Sequence, residues 1–360
     1  MYDNNRVIGY QKQCACLTEL KAKEETKWLF ETNSQALQAA LRNLDTAYQN
    51  FRAGRAEKPT FKSKRKKNSF RVPQHVKVAD DKILFPKFRD GIRMIRHREI
   101  KGVVRHCTIS KTSTGKFFVS ILCEVEHEPL KPVNRQVGLD LGIKDFVVTS
   151  DGIRFKNNHY LKKYEKKLAK AQRHLSRKKP GSNGRRRQRL KVSAIHEKIA
   201  NTRHDLLHKI STRITNEYDT ICVEDLNVKG MMKNRKLAKH IGDVSWGTFL
   251  RYLEYKCSWN ERRLVKINRF YPSSKTCNQC GYINHELKLS ERTWICPSGH
   301  IIDRDINASK NILEQGLKLI GAELSDHTDG GLDKTSARKH KPMKSEAHKS
   351  SAYGAVHSTG

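Results

Sequence analysis

The chain has 360 residues, with 72 Lys and Arg against 37 Asp and Glu, and carries a formal net charge of +35 at pH 7. A positive excess of this size attracts polyanions and releases their counterions on contact, which excludes an ordinary metabolic enzyme and favours a nucleic-acid partner. No apolar run approaches the roughly 18 residues that a membrane-spanning helix needs, and the first residues show no signal-peptide pattern. We therefore expect no membrane partner and an intracellular location.

The length corresponds to about two to three domains, and residues 1–54 are predicted to form a helical N-terminal segment. Its clearest helix places five apolar side chains on one face, at alternating spacings of four and three. Ser34 is the candidate cap of this helix and Gly54 its expected end. The apolar positions are Leu37, Leu41, Leu44, Tyr48 and Phe51.

Residues 55–130 are predicted to form a β-rich nucleic-acid-binding domain. A basic run lies between Phe61 and Phe70; such a run is often only a solvated loop, but aromatic rings can stack on bases while Lys and Arg hold phosphates, so we predict an RNA contact. The basic residues are Lys62, Lys64, Arg65, Lys66 and Lys67. From Val76 to Val125 the hydrophobic period is two, with turn signals between the runs, which predicts a small antiparallel β domain.

Residues 131–320 are predicted to form an α/β domain that opens with a strand, an Asp-Gly turn and a second strand. Two amphipathic helices follow within 158–215 and form a helical hairpin with a basic tip. The tip could be a solvated surface, but in a chain this far from neutrality we predict that Arg185, Arg186 and Arg187 bind a nucleic-acid backbone. A strand at 220–223, a helix from Trp246 and a strand at 264–267 come next. Residues 321–360 lack apolar periodicity and are predicted to be a disordered basic tail.

Three acidic residues stand where a carboxylate is unfavourable: Asp140 within an apolar strand, Glu224 at a strand end and Asp305 at the start of a helical run. Taken singly, each has an ordinary alternative: a solvent-facing position, an exposed strand end, or a helix cap at Asp303 or Asp305. If the fold brings the three together, their mutual repulsion favours bound divalent cations, and Mg²⁺ suits one or two carboxylates with phosphate oxygens. Two such ions can support phosphodiester hydrolysis.

The nine cysteines are odd in number and mostly scattered, which indicates reduced thiols or a metal site rather than a disulfide framework. Cys277 and Cys280 form a CxxC pair, and Cys296 follows after fifteen residues, a spacing typical of a zinc ribbon. His300 is the first candidate for the fourth ligand and His285 an outside candidate; a site of three cysteines or a lost site stays open. If zinc binds, it is structural and helps to place Asp305.

The strings GLDLGIKD, VEDLNVKG and DRDINASKNI, together with the cysteine cluster, resemble the active-site segments of the RuvC-like nuclease domain in the TnpB (OrfB) family of insertion-sequence proteins, relatives of the RNA-guided nucleases of type V CRISPR systems. The resemblance runs from about Thr32 to Ile312. It implies an RNase H-like (RuvC) nuclease domain with an inserted helical hairpin at 158–215 and a zinc ribbon at 273–302. It also implies Mg²⁺-dependent cleavage of double-stranded target DNA, directed by a guide RNA from the element's own end. Such a protein acts in the cytoplasm of a bacterial or archaeal cell, at the nucleoid.

The same resemblance implies that Asp140, Glu224 and Asp305 are catalytic metal ligands. The family motif centres on the acid two residues before an Asn, here Asn307, which selects Asp305 over Asp303. The sequence departs from the family twice: the second cysteine pair is replaced by Cys296-Pro-Ser-Gly-His300, and the helical lead-in that starts at MYDNNRV is shorter, so we expect a shortened N-terminal domain.

An alternative function is a non-catalytic nucleic-acid-binding accessory or regulator of transposition. Three acids in desolvated positions favour the nuclease, because a regulator has no need of them. A Tyr-nucleophile transposase or recombinase is a third possibility, but the sequence contains no HxH string with a partnered Tyr to support it.

Overall fold

A computed structural model describes residues 2–3, 6–61, 68–288 and 290–326. The predicted RNA contacts Lys62, Lys64, Arg65, Lys66 and Lys67 lie outside the described residues, as does the predicted tail from 327 onward. The described chain divides into two compact units, with the division between Glu126 and His127. This division lies four residues before the domain boundary that the sequence predicts between 130 and 131.

The first unit begins with two short antiparallel strands, which the purely helical prediction for residues 1–54 did not contain. The elements are β1 (Tyr2–Asp3), β2 (Arg6–Val7), α1 (Tyr10–Ala22), a 3₁₀ segment (Glu24–Phe30) and α2 (Ser34–Arg52). Asn33, not Ser34, caps α2, because its side-chain oxygen accepts the backbone N–H groups of Gln35 at 2.9 Å and Ala36 at 3.2 Å.

Two three-stranded antiparallel sheets complete this unit, in agreement with the period-two pattern. Their strands are β3 (Asn68–Val72), β4 (Lys77–Ala79), β5 (Lys82–Phe85), β6 (Phe88–Arg93), β7 (Val103–Lys111) and β8 (Phe117–Glu124). One sheet has the order β3-β7-β8 and the other β4-β5-β6. Their shared core contains Val72, Val76, Ile83, Phe85, Met94 and Cys107.

The second unit is built around a five-stranded mixed sheet with the order β11-β10-β9-β12-β13. The strands are β9 (Gln136–Asp140), β10 (Asp145–Thr149), β11 (Arg154–Lys156), β12 (Thr220–Glu224) and β13 (Arg263–Ile267). β12 lies parallel to both β9 and β13, whereas β10 is antiparallel to its neighbours. The opening segment contains three strands rather than the predicted two, because the chain also turns at 141–144, before the turn at Asp151 and Gly152.

Helices cover both faces of this sheet. They are α3 (Tyr160–Ser176), α4 (Asn183–Glu217), α5 (Val228–Met231), α6 (Arg235–Val244), α7 (Trp246–Trp259) and α8 (Arg304–Asp326), and a small hairpin of β14 (Thr293–Ile295) and β15 (Ile301–Asp303) precedes α8. Alternate strand residues such as Leu139 and Val223 pack on α4 and α7 in the largest core cluster. Cys222, which points to the other face, packs with Ile312 of α8.

Helices α3 and α4 pack on each other through Leu168, Ala171, Ile195 and Ile199. Helix α8 continues to Asp326, so the predicted start of a disordered tail at 321 is wrong by at least six residues. A single glycine costs a helix only about 1 kcal/mol, and Gly321 therefore does not end α8. Within the described ranges, no helix combines the length and apolar character that crossing a membrane requires.

Candidate active site and metal centre

Asp140 and Glu224 lie side by side at one edge of the mixed sheet. β9 and β12 pair in parallel with Val223 opposite Leu139, so the next residue of each strand is an acid. Since Leu139 and Val223 point to the α4 and α7 face, the alternation of side chains directs both acids to the face covered by α8. The apolar strands that precede the acids thus place two carboxylates next to each other without any local sequence contact.

Helix α8 brings Asp305 to the same edge. α8 crosses β9 closely at Gly138, where a Cβ would overlap the carbonyl oxygen of Ser309. Asp305 lies one helical turn, about 6 Å, before Ser309 along α8, and Asp140 lies two residues, about 6 Å, after Gly138 along β9. The two acids are thus displaced by similar lengths from the point where the helix and the strand meet. In keeping with this placement, the negative charge of Asp305 contributes to raising the pKa of Asp140. The structure therefore brings together the three acids predicted from the sequence.

Asp303 has a different role from Asp305. Its Oδ1 accepts the backbone N–H groups of Asp305 at 3.1 Å and Ile306 at 3.0 Å, so Asp303 caps α8, as the sequence suggested. The cap fixes the first turn of α8, which carries Asp305.

The surroundings of Asp140 disfavour its ionised form. Burial, followed by the negative charges of Glu224 and Asp305, raises the pKa of Asp140 to about 7, against the opposing effect of Arg304 and Arg292. Burial also raises the pKa of Glu224, while a hydrogen bond from the Ser273 hydroxyl acts in the opposite direction. Burial and mutual repulsion make it unfavourable for these two adjacent carboxyls to ionise, and a bound divalent cation would offset both effects.

Two arginines that the sequence analysis missed contact the acids. Arg154 of β11 donates to both oxygens of Asp303 at 2.8 Å and to Asp145 at 3.2 Å. Arg292 donates to Asp305 at 3.2 Å. Arg154 and Asp303 are 149 positions apart in the chain, so no local sequence signal could have paired them.

The oxygen ligands of this site fit Mg²⁺, which prefers carboxylates and retains several waters. Among the described residues, the group of at least three His, Cys, Asp or Glu side chains close enough together to hold a metal ion is Cys277, Cys280, Cys296 and His300, whose ligand atoms all lie within 4.8 Å of one another. A cation at the three acids would also take water or phosphate oxygens as ligands.

The cysteine cluster joins two tight turns. Cys296 Sγ lies 3.1 Å from His300 Nδ1, Cys277 Sγ lies 3.7 Å from the same nitrogen, and Cys280 Sγ lies 3.7 Å from Cys296 Sγ. Three sulfurs and one imidazole nitrogen in such a group match the ligand set of a tetrahedral Cys₃His zinc site. His300, rather than the outside candidate His285, completes the group.

Backbone geometry explains how both turns present their ligands. In the first, Gly281 has φ 75° and donates its N–H to the Cys277 carbonyl at 2.8 Å; in the second, Gly299 has φ 83° and donates to the Cys296 carbonyl at 2.8 Å. The left-handed conformation is cheap only for glycine. A hydrogen bond from the Tyr282 backbone is the largest of the effects that lower the pKa of Cys280 to about 6, which favours the thiolate that a metal requires.

Asp140→Asn is expected to stabilise the protein in buffer without added divalent cation. Because the folded-state pKa of Asp140 is raised from 3.8 to about 7, the folded protein retains a proton that the unfolded chain releases, and this carboxyl lowers stability increasingly as pH rises through that window. At about 1.4 kcal/mol per pKa unit, the full effect is about 4 kcal/mol above pH 7. Thermal melts near pH 5 and near pH 8 test this; an equal difference between variant and parent at both would contradict it.

The basic tip between α3 and α4 divides into two kinds of arginine. The Arg185 guanidinium donates to the carbonyls of Leu175 at 3.0 Å and Lys178 at 2.9 Å, and so caps the end of α3. Arg186 and Arg187 are exposed. Of the three predicted backbone contacts, the latter two are thus available to a nucleic acid, whereas Arg185 has a structural role.

Replacing Arg186 and Arg187 together by Gln is expected to flatten the dependence of log RNA affinity on log salt by about 1 to 2 units, at roughly 0.7 to 0.9 per phosphate contact. Arg185→Gln is the matched variant: it should lower the melting temperature and change the salt slope less. Affinity titrations over a series of salt concentrations measure both. A slope equal to that of the parent in the double variant would mean that the tip is only solvated.

The chain matches known proteins over most of its length. Residues 120–235 match the family OrfB_IS605, described as "Probable transposase", and residues 246–312 match the TNB domain of Cas12f1-like proteins. A Streptomyces pristinaespiralis protein named "Putative RNA-guided DNA endonuclease" is 39% identical over 322 residues, which cover 88% of this chain and 80% of the relative. An Escherichia coli K12 protein named "Putative RNA-guided DNA endonuclease InsQ" is 35% identical over 331 residues, covering 87% and 82%.

Among solved structures, the protein in a cryo-EM structure of a Cas12f1-sgRNA-target DNA complex matches with a TM-score of 0.50 at 14% identity, covering 84% of this chain and 79% of that one. At this identity the match shows a shared fold. The family and both relatives agree with the resemblance of the three acidic strings, so the chain belongs to the TnpB (OrfB) family of insertion-sequence proteins.

Proposed function

We propose that this chain is a transposon-encoded RNA-guided DNA endonuclease. The observation that carries the proposal is the convergence of Asp140, Glu224 and Asp305, from three distant segments, at one sheet edge of a protein with net charge +35. The names of its relatives support the guided reaction. A guide RNA and a double-stranded target DNA are the partners, and the cytoplasm of a bacterial or archaeal cell, at the nucleoid, is where they would meet.

Within this proposal, 131–320 is an RNase H-like (RuvC) nuclease domain, with the paired helices of 158–215 as an inserted hairpin and 273–302 as a zinc ribbon. The mixed sheet with acids at adjacent strand ends supports the assignment. The β-rich region 55–130 binds nucleic acid. The hairpin tip adds phosphate contacts through Arg186 and Arg187.

Asp140, Glu224 and Asp305 would hold Mg²⁺. When bound there, Mg²⁺ supplies Lewis-acid stabilisation of phosphate charge and lowers the pKa of a bound water. The chain's own residues prepare the site: the Ser273 hydroxyl orients Glu224 by a hydrogen bond, and the Asp303 cap fixes the turn that carries Asp305.

Arginine side chains lie beside these acids and balance part of their negative charge. Arg292 pairs with Asp305, and Arg154 pairs chiefly with Asp303 and Asp145. Both guanidinium groups would thus stand beside a phosphodiester that approached the acids, where they attract its negative charge.

The Cys₃His group would hold one structural Zn²⁺. Asn278, inside the first turn, donates its backbone N–H to Asn307 of α8 at 2.9 Å, and Asn307 donates to the Thr276 carbonyl at 2.6 Å. These contacts join the ribbon to the helix that begins with Asp305. A closed ribbon would therefore help to place the third acid.

The function is tested by purifying the full chain with the RNA transcribed from its flanking element and supplying duplex DNA complementary to that RNA. We expect cleavage when Mg²⁺ is present and none when it is withheld. Failure to cut under any cation, or equal cutting without the RNA, would overturn the proposal.

A further inference from the structure

Phe270 is the most exposed large hydrophobic side chain among the described residues from His127 onward, with 85% of its surface accessible. It follows β13 by three residues, in the loop that leads to the zinc-ribbon segment. An exposed apolar ring contributes nothing to a core, and water around it is unfavourable. Covering such an exposed ring with a ligand removes its apolar surface from water, which is favourable.

The loop that carries Phe270 is fixed by hydrogen bonds. The Phe270 N–H donates to the Asn268 side-chain oxygen at 2.9 Å, and the Tyr271 N–H donates to the Asn268 carbonyl at 3.1 Å. Further along, Asn311 of α8 donates to the Ser273 carbonyl at 2.7 Å. The exposed ring is therefore presented by an ordered turn.

Residues before and after Phe270 in the same loop contact acidic residues at the end of β12. Arg269, immediately before Phe270, pairs with Asp225, which follows Glu224. Ser273, three residues after Phe270, donates its hydroxyl to Glu224. The segment that orients a carboxylate of the site thus also carries the exposed ring.

The distance from the ring's backbone to the site has an upper limit. Ile267, the last residue of β13, is paired in register with Glu224 across about 5 Å, and three extended residues add at most about 11 Å. Neighbouring stacked nucleotides are separated by about 3.4 Å along a strand. A DNA strand with one phosphodiester at the acids, if it runs towards this loop, would reach Phe270 within about five nucleotides.

We propose that Phe270 is a nucleobase-stacking subsite for the DNA strand that is cut. The ring takes the face of an unpaired base on one side of the scissile bond, while the acids act on the phosphate. Stacking on an aromatic face tolerates any sequence, because every base has a π-face, which is what an enzyme whose sequence choice comes from a guide requires. The proposal rests on the proposed function for the identity of the strand, but the stacking contact can be measured without cleavage.

The test uses the full chain and a short single-stranded oligodeoxynucleotide with uncleavable linkages, in which 2-aminopurine is placed at each position in turn. At raised salt, where phosphate contacts weaken, stacking on a ring should quench the probe at one or two positions. Phe270→Ala should abolish this position-specific quenching and weaken the affinity by about 5- to 150-fold. Phe270→Tyr should retain both.

Trp259→Ala is the matched control, since Trp259 is another exposed aromatic (58%) in the same unit. It precedes β13, whereas Phe270 follows it, so the two rings belong to opposite edges of the sheet. With this variant, the position-specific quenching of 2-aminopurine should be the same as with the parent. Absence of quenching in the parent, unchanged quenching in Phe270→Ala, or equal loss in Trp259→Ala would each overturn the proposal.

The guided cleavage assay separates this result from the proposed function. If the parent cuts guided DNA but Phe270→Ala binds and quenches normally, the subsite is wrong and the nuclease function stands. If the parent quenches through Phe270 but does not cut, the subsite stands and the nuclease function is wrong. Because the Phe270 side chain is so exposed, Phe270→Ala should melt within the error of the parent.

Discussion

Replacing Asp140, Glu224 or Asp305 by alanine is expected to lower guided DNA cleavage by roughly 10³-fold or more, since several kcal/mol of charge stabilisation would depend on the cation that we propose these acids hold. Guide-RNA affinity should stay within about 3-fold of the parent, because these side chains are not phosphate contacts. Single-turnover cleavage rates and RNA-binding titrations on the same preparations measure the two effects.

Asp303→Ala is the control that distinguishes the two acids of the DRD segment. Asp303 caps α8, so its loss should cost about 0.5 to 2 kcal/mol of stability and reduce cleavage less than the loss of Asp305. If Asp303→Ala is inactive and Asp305→Ala cuts normally, the assignment of the third ligand is wrong.

Removing the cysteine cluster is expected to unfold the segment from Cys277 to Cys296, because structural zinc sites contribute about 10 to 16 kcal/mol to the folding of small zinc domains. Elemental analysis of the native protein should return one Zn²⁺ per chain. Cys277→Ser or Cys296→Ser should abolish zinc retention, and His300→Ala should weaken it.

His285→Ala is the matched control for the fourth ligand, because His285 is exposed and lies outside the cluster. It should retain zinc like the parent. Native protein that contains no zinc would contradict the site. Loss of zinc in His285→Ala but not in His300→Ala would contradict the ligand set.

The acids and the cysteines could be predicted from sequence because short local strings carry them. Asp140 and Glu224 each end an apolar strand, and that pattern is visible without a structure. The pairing of β9 with β12, which sets the acids side by side, depends on the sheet order and could be inferred only through the resemblance. Their roles as metal ligands stay predictions.

The features that the sequence analysis missed depend on contacts between distant segments or on small local energies. Arg154 meets Asp303 across 149 positions. Arg185 belongs to a basic run, and nothing in that run distinguishes it from Arg186; its role as a cap follows from the folded turn between the helices. Asn33 and Ser34 are both residue types that cap helices well. Asn33 is the cap because the helical conformation of α2 begins at Ser34.

The shortest elements were also missed. Helix α5 has four residues, too few to show a 3.6-residue period. The pair β1 and β2 has two residues in each strand, which is less than an alternation needs to be recognised. Longer elements such as α4 and α7 were predicted because their apolar stripes extend over several turns.

The central claim is that an RNA carried by this protein selects the DNA bond that is cut. The most direct measurement is to load the full chain with two RNAs that differ only in the guide segment and to map the cut on one DNA that contains both complementary sites. We expect the cut to move from one site to the other with the guide and to disappear in Asp140→Ala. Cutting at the same position with both RNAs, or cutting that persists in Asp140→Ala, would contradict it.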